Sequence, residues 1–267
     1  MGFLKSSPVN APSSASVEAA GLIWLAQARA QGGARVVEVL SADAGRLELE
    51  RIKPARPSEE AAEAFGAALA RTHRSLEAGA RFGDLPPGHP QQVPAYFGPA
   101  DQPLEMGTGA HFSWGQFLAR ERLDPLLSEL GKVSSPQELR VLEAARDRLA
   151  AGDADDDESP SRIHGDLWSG NVLWAMAEDG SSGTEAVLID PAAHAGHRET
   201  DIALLHLFGF PHLDAVLAGY EAVAPLREGW KNRVPVHQLF CLAAHWVLFG
   251  SGYRCPTMEA AGAVLDL

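Results

Sequence analysis

The alternation of hydrophobic and polar residues changes along the chain, from short strand-like runs to long helical stretches. Residues 46–52 (RLELERI) alternate leucine with charge, which is typical of a half-buried strand. Two other short apolar runs, residues 2–5 and 35–40, are also predicted strands. An alanine-rich stretch predicts a helix over residues 16–30, because the glycine pair at 32 and 33 ends it.

After residue 53 the pattern is mainly helical. Helices are predicted over residues 59–76, 114–130 and 136–151, and again from Glu199 onward. The last helical region is punctuated by three prolines, which are Pro211, Pro225 and Pro235. A small strand-bearing part therefore precedes a larger helical part, and the cleft between two such parts is a common place for a ligand.

Two loops and one turn complete the predicted organisation. Residues 79–110 are rich in glycine and proline and are predicted to form a long irregular loop. The acidic residues 152–160 predict a solvated surface loop. Two short strands, residues 172–175 and 186–189, flank a predicted turn at Asp179-Gly180.

Composition and charge narrow the classes of function. The 267 residues are 46% hydrophobic and 21% charged, which is typical of a globular protein. The net charge is −13 and no basic run occurs, so neither nucleic acid nor an anionic membrane is an expected partner. Two cysteines make no disulfide framework and the first residues do not resemble a secretory signal, so the sequence predicts a cytoplasmic protein.

The segment IHGDLWSGNVLW, residues 163–174, is the most informative stretch. Asp166 follows His164 by two residues and precedes Asn171 by five, which is the spacing of the H-R-D-x-x-x-x-N catalytic loop of kinases. In that chemistry a carboxylate orients the attacking hydroxyl while a nearby amide oxygen ligates Mg²⁺. Asp190 ends an apolar strand 19 residues after Asn171, where kinase-like enzymes place a second metal ligand.

Three runs of sequence are similar to the fructosamine kinase (ketosamine 3-kinase) family, a relative of aminoglycoside phosphotransferases and protein kinases. They are HGDLWSGNVLW, LIDPAAHAGHRETDIALLHLFG and GWKNRVPVHQLFCLAAHWVLFGSGY. The resemblance covers about residues 3–253. It implies an α+β, protein-kinase-like bilobal fold with a truncated N-terminal sheet lobe, residues 1–53, and a larger helical lobe, residues 54–267. It also implies ATP-dependent, Mg²⁺-assisted phosphorylation of a sugar hydroxyl on a ketosamine, either free or attached to a protein.

The resemblance also implies roles for individual residues. Asp166 matches the catalytic base, and Asn171 and Asp190 match the Mg²⁺ ligands. Lys5 resembles the lysine that binds ATP, and Glu18 resembles the helix glutamate that pairs with it. The hinge segment that meets adenine is matched by Glu50, Arg51 and Ile52.

Four further residues complete the implied site. His197 and Arg198 match the GHRExD segment of the family and are expected to contact substrate. Asp201, from the same segment, is expected to hold the catalytic loop in place. Trp168 is interpreted as a platform that stacks on the sugar, with a core aromatic residue as the alternative.

The family places a two-strand hairpin with a glycine-containing loop before its ATP lysine, whereas only four residues precede Lys5. A late start codon, a shortened chain and an open phosphate site are three explanations. With a strand neighbour missing, we expect Lys5 to be poorly anchored, out of reach of Glu18 in part of the population, and nucleotide affinity to be weak.

Other interpretations stay open from the sequence. An aminoglycoside- or choline-type kinase is the alternative enzyme, and a pseudokinase-like binding protein is the alternative outside catalysis. His237, Cys241 and His245 recur every four residues, as in a helical metal site, but a core-facing stripe is the preferred interpretation.

Overall fold

A small antiparallel sheet forms the N-terminal part of the computed structural model, which describes residues 2–43, 45–177 and 183–267. Its strands are β1 (Phe3–Ser6), β3 (Val39–Asp43) and β4 (Arg46–Leu49), and their order is β1-β4-β3. Helix α1 (Ser14–Ala26) contacts β3 and β4. Strand β1 lies at the edge of the sheet and pairs with β4 on one side only.

The single strand predicted over residues 35–40 is wrong, because the segment divides between two sheets. Strand β2 (Arg35–Val36) pairs in parallel with β9 (Thr184–Leu188), which pairs antiparallel with β8 (Val172–Met176). Only β3, after the break, joins the N-terminal sheet. The chain thereby ties the small sheet to the strand that leads to Asp190. The predicted turn at Asp179-Gly180 lies outside the described residues.

The rest of the chain is mostly helical, as predicted. The described helices are α2 (Glu59–Arg74), α3 (Trp114–Phe117), α4 (Asp124–Val133), α5 (Pro136–Ala151), α6 (Arg198–Leu207), α7 (Leu213–Val223), α8 (Trp230–Phe249) and α9 (Arg254–Leu265). The predicted helix over 114–130 contains a π-helical segment at Leu118–Leu123, and Pro235 lies inside α8 in its second turn instead of ending a helix. Ser58 and Ser135 cap the N-termini of α2 and α5 with their side chains.

Both predicted loops carry more structure than the sequence indicates. The segment 79–110 contains a hairpin of β5 (Ala95–Phe97) and β6 (Leu104–Met106). Residues 153, 155 and 157 of the acidic segment are exposed, as predicted for a solvated loop. The half-buried Asp156 and Glu158 differ from that prediction, because basic side chains of the helical part pair with them.

Two hydrophobic cores stabilise the fold. The first joins α1, β4, α2, β8, β9 and α7 around Leu22, Leu47 and Leu188, and the second lies among α3, α4, α5, α8 and α9. The first core crosses from the N-terminal sheet into the helical part, so the lobes share packing. The lobe boundary between residues 53 and 54 stays a prediction. Among the described residues, none of the helices is both long and apolar enough to cross a membrane.

Candidate active site

The catalytic loop follows β7 (Ser161–Ile163), a short strand that pairs with β10 (His194–Gly196). Asp201, on α6, holds the loop from inside. Its carboxylate accepts hydrogen bonds from the main-chain N–H of His164 at 2.7 Å and of Gly165 at 2.9 Å. His73 Nε2 lies 3.1 Å from the same carboxylate, and Asp201 is fully buried. The expectation that Asp201 ties down the catalytic loop is confirmed.

His164 links the catalytic loop to the strand that precedes Asp190. The Asp166 main-chain N–H donates to its Nδ1 at 3.2 Å, so the ring proton lies on Nε2 and is donated to the Ile189 carbonyl at 2.8 Å. Burial lowers the pKa of His164, which favours this neutral form. The ring therefore fixes the spacing between Asp166 and Asp190.

One oxygen of the Asp166 carboxylate is hydrogen-bonded, and the other has no hydrogen-bond partner among the described residues. Asn171 Nδ2 donates to Oδ2 at 3.0 Å and to the Asp166 carbonyl at 2.8 Å. Oδ1 is buried and makes no hydrogen bond with the described residues. Burial, with the nearby charges of Asp190 and Asp201, outweighs the Asn171 hydrogen bond and raises the pKa of Asp166 to about 7. An unpartnered carboxylate oxygen with such a pKa suits the acceptance of a hydroxyl proton.

Lys5 lies between the two carboxylates that the resemblance assigns to the ATP site. Its Nζ is 2.8 Å from Glu18 Oε1 and 2.7 Å from Asp190 Oδ1. Burial alone would lower the pKa of Lys5, but the two carboxylates outweigh it and raise the pKa. The expectation that Lys5 is poorly anchored is wrong, because its side chain contacts Glu18 here. The reason is that β4 holds the strand on one side, with Lys5 opposite Leu47, and one ordered neighbour is enough to aim the side chain.

Asn171 and Asp190 present hard oxygen donors to the same cleft. Asn171 uses its amide nitrogen for Asp166, and its Oδ1 accepts no hydrogen bond from the described residues. Asp190 adopts a left-handed conformation, with φ of 53°, that is uncommon outside glycine and recurs at functional sites. Amide and carboxylate oxygens are the ligands that Mg²⁺ prefers, so this pair fits the ion.

A mainly apolar cavity of about 300 Å³ lies between the lobes, where the hinge was predicted. Glu50, Arg51 and Ile52 line it, together with five hydrophobic side chains, Phe3, Val37, Leu49, Leu173 and Ile189. Lys5 and Asp190 close one end. The Glu50 carboxylate accepts hydrogen bonds from Arg35 Nη2 at 3.1 Å and from the Glu38 N–H at 3.1 Å, and the Glu50 N–H donates to the Glu38 carbonyl at 2.9 Å, so Glu50 is held against residue 38.

Trp168 belongs to a surface group of aromatic rings beside Asp166, which we call the aromatic wall. Its members are Trp168, Phe208, His245, Phe249 and Tyr253, with adjacent ring centroids 5.0–6.4 Å apart. Trp168 is half-buried and also packs on Gly170, where a Cβ atom would lie 2.2 Å from the ring. Sequence reasoning found Trp168 but missed the wall, because its other members come from the residue that follows α6, from α8 and from the turn between α8 and α9.

His197 and Arg198 do not reach the cleft, so their assignment as substrate contacts is corrected. His197 is buried with its Nε2 3.1 Å from Asp156 Oδ1, and its Nδ1 accepts the Glu199 N–H at the start of α6. Arg198 pairs with Glu158 at 2.6 Å. Both residues anchor the acidic segment, because Asp156 and Glu158 need buried cationic or donor partners.

Three potential metal ligands lie close together in the same region, but an arginine already pairs with the carboxylate among them. His197, Glu199 and His237 bring ligand atoms within 4.8 Å of one another. Arg233 occupies the cation position, since its Nη2 and Nε donate to Glu199 at 2.6 and 2.8 Å. The core-facing interpretation is confirmed for His237 and Cys241, which are buried, but not for His245, which is half-exposed in the aromatic wall.

The two-lobed arrangement and the geometry of Asp166, Asn171, Asp190 and Lys5 define a protein-kinase-like protein. Solved structures agree, because a choline kinase from Streptococcus pneumoniae, 14% identical, superposes with a TM-score of 0.60 over 100% of this chain and 87% of that one. That level of identity shows the fold alone.

Family membership follows from closer matches. The model of the fructosamine kinase family matches residues 2–266, and the chain belongs to that family. A Thermobifida fusca protein assigned as a fructosamine-3-kinase is 38% identical, with a TM-score of 0.81 over 99% of this chain and 85% of that one. Mouse ketosamine-3-kinase is 34% identical over 148 residues, which are 55% of this chain and 45% of that protein. The chain thus spans about half the length of the curated relatives that it matches.

Proposed function

We propose that the protein is an ATP-dependent kinase that transfers the γ-phosphoryl group to a sugar hydroxyl of a ketosamine. The observation that carries the proposal is the buried Oδ1 of Asp166, which has no hydrogen-bond partner among the described residues and is therefore free to accept a proton from an acceptor hydroxyl. Family membership and the similarity to ketosamine-3-kinase support the choice of acceptor.

The roles of the residues follow from their contacts. Asp166 Oδ1 accepts the hydrogen bond of the acceptor hydroxyl and takes its proton as the new P–O bond forms and the bond to ADP breaks. Asn171 holds the other carboxylate oxygen, and His164 holds the loop. Lys5, kept by Glu18, binds nucleotide phosphate in place of its contact with Asp190.

Mg²⁺ and ATP fit the arrangement as cofactor and co-substrate. Asn171 Oδ1 and the Asp190 carboxylate would hold the ion, which neutralises the charge of the transferring phosphoryl group when bound. Two protein ligands suffice because phosphate oxygens and water would supply the remaining ligands of Mg²⁺. Adenine is placed in the cavity of Phe3 and Leu173, against the main chain of residues 50–52.

The acceptor is placed on the aromatic wall. Sugar rings and polyols present C–H faces that pack on aromatic side chains, and Trp168 is two residues from the base. His245 adds a polar edge for a hydroxyl. A free ketosamine and a glycated protein side chain both present such a group, and action in the cytoplasm is part of the same proposal.

A panel of acceptors tests this function against its alternatives. ADP release is measured with MgATP and one acceptor at a time: a fructosamine, a ribulosamine, kanamycin and choline. We expect turnover with the ketosamines alone and a phosphate ester on the sugar by ³¹P NMR. Turnover with kanamycin or choline alone would favour the other kinase classes, and ATP binding without turnover would favour a pseudokinase.

A further inference from the structure

A partly open chamber of about 40 Å³ adjoins the catalytic cleft, and we call it the inner chamber. It shares lining with the cavity that contains Lys5 and Asp166, and the shared residues are Val17, Tyr96, Phe97, Pro191 and Ala192. Gly165, directly before Asp166, also lines the inner chamber. A group bound there lies next to the site proposed for phosphoryl transfer.

Arg122 lines this chamber and is buried, with 6% of its surface exposed. One nitrogen, Nη1, donates to the carbonyls of Gly107 at 3.1 Å and Glu121 at 3.0 Å. Nε and Nη2 make no hydrogen bond with the described residues. The guanidinium lies over two aromatic rings, 4.5 Å from the centroid of Phe117 and 6.0 Å from that of Phe240.

The charge of Arg122 is not matched by a carboxylate contact within the described ranges. The adjacent Glu121 directs its carboxylate to the Gly109 N–H at 2.9 Å and to His111 Nε2 at 2.8 Å. Burial lowers the pKa of Arg122 to about 10, against the opposing effect of the Glu121 charge, so the group stays charged at neutral pH. Burial and that charge lower the pKa of His194, which also lines the chamber, to about 3.

A buried charge without a directly bonded carboxylate is incompletely compensated, and an anionic ligand that binds it improves that compensation. We propose that Arg122 binds a carboxylate of the acceptor, so that the preferred acceptor is the ketosamine of a free α-amino acid. The guanidinium offers two adjacent unused N–H directions, which match a carboxylate. The inference rests on the proposed ketosamine kinase function.

The shape of the site favours a free acceptor over a protein-bound one. Phe97 joins the two regions, with its ring centroid 6.4 Å from that of His245 in the aromatic wall and 4.7 Å from that of Phe240 beside Arg122. Phe97 therefore forms a continuous apolar surface from the wall to the chamber, along which the amino-acid end of an acceptor can extend. The ketosamine of a free amino acid carries an α-carboxylate that can reach Arg122, whereas a glycated side chain inside a polypeptide has none.

Two acceptors that differ only in charge test the inference. Steady-state kinetics with MgATP are compared for the fructosamine of glycine and the fructosamine of glycinamide. Loss of a hydrogen-bonded charge pair predicts a KM about tenfold to a hundredfold higher for the amide, with kcat changed little. Equal KM values in the unchanged protein would overturn the inference, whatever happens to any variant.

Substitutions at Arg122 provide the matched comparison. In Arg122→Gln we expect the KM for the glycine compound to rise to that of the amide, so that discrimination disappears, whereas Arg122→Lys retains part of it. If Arg122→Gln still distinguishes fully between the two compounds, Arg122 serves only to hold the main chain at Gly107, and the inference is overturned. Turnover of both compounds without discrimination refutes this inference alone, but failure of every ketosamine refutes the proposed function as well.

Discussion

Replacement of Asp201 by asparagine tests whether one buried carboxylate holds the catalytic loop. The carboxylate accepts the N–H groups of His164 at 2.7 Å and Gly165 at 2.9 Å and contacts His73 at 3.1 Å. Its pKa is lowered because the hydrogen bonds from His73 and the loop outweigh burial. Asparagine keeps the shape but has one acceptor oxygen and adds an NH₂ donor.

The cost follows from the geometry. If the amide oxygen replaces Oδ2, the Gly165 N–H faces another donor, and if it replaces Oδ1, the His164 N–H does. Each orientation loses a charge-assisted hydrogen bond and leaves a buried donor unsatisfied, which together cost about 3 to 5 kcal/mol. Displacement of the loop by a fraction of an ångström also separates Asp166 from the acceptor, and such misplacement costs up to about a hundredfold in rate.

Urea denaturation and steady-state kinetics measure the two effects. We expect Asp201→Asn to lose about 3 kcal/mol or more of unfolding free energy and at least about tenfold in kcat. Asp214→Asn, an exposed position on α7, is the matched control and should change stability by about 0.5 kcal/mol or less. An Asp201→Asn protein within about 1 kcal/mol of the parent and with unchanged kcat would refute the reasoning.

Three further predictions follow from the same contacts. Lys5→Met should raise the KM for ATP by about tenfold or more, since a charged contact with phosphate is lost. The control is Lys53→Met, at an exposed position, which should leave this KM unchanged. Equal effects of the two substitutions would contradict the assignment of Lys5. Asp190→Asn should weaken the binding of Mg²⁺ that is measured in the presence of ATP. Tight binding of Mg²⁺ by the parent without nucleotide, unchanged in this variant, would argue against a shared site. Burial lowers the pKa of His237 to about 4, so as the pH falls the unfolded chain binds a proton there before the folded protein does. The free energy of unfolding should therefore fall by about 3 kcal/mol between pH 6.5 and 4. In urea titrations His237→Gln should reduce this pH dependence, and an unchanged pH dependence would refute the prediction.

The chemistry-bearing motif could be read from the sequence because its parts are local. His164, Asp166 and Asn171 lie on one loop, and Asp190 follows the strand that pairs with the strand after Asn171. Spacing along the chain therefore suffices to propose their roles. Lys5 and Glu18 could be proposed only from resemblance, since their contact depends on how β1 and α1 pack.

What the sequence could not predict depends on distant contacts. Strands β7 and β10 have three residues each, too few for a periodic signal, and they pair across 30 residues of chain. His197 and Arg198 carry reactive-looking side chains next to the motif, but burial against the acidic segment decides their role. Arg122 gives no signal in the sequence, because an unmatched charge is visible only when its neighbours are known.

The most direct test of the central claim compares Asp166→Asn with the parent protein. Phosphorylation of a fructosamine and binding of MgATP are measured on the same preparations. The amide cannot accept the hydroxyl proton, so we predict a loss of about 10²–10⁴-fold in kcat with MgATP affinity and unfolding free energy close to those of the parent. Near-parental turnover by the variant would contradict the account, because the orphaned oxygen of Asp166 would then have no part in the transfer.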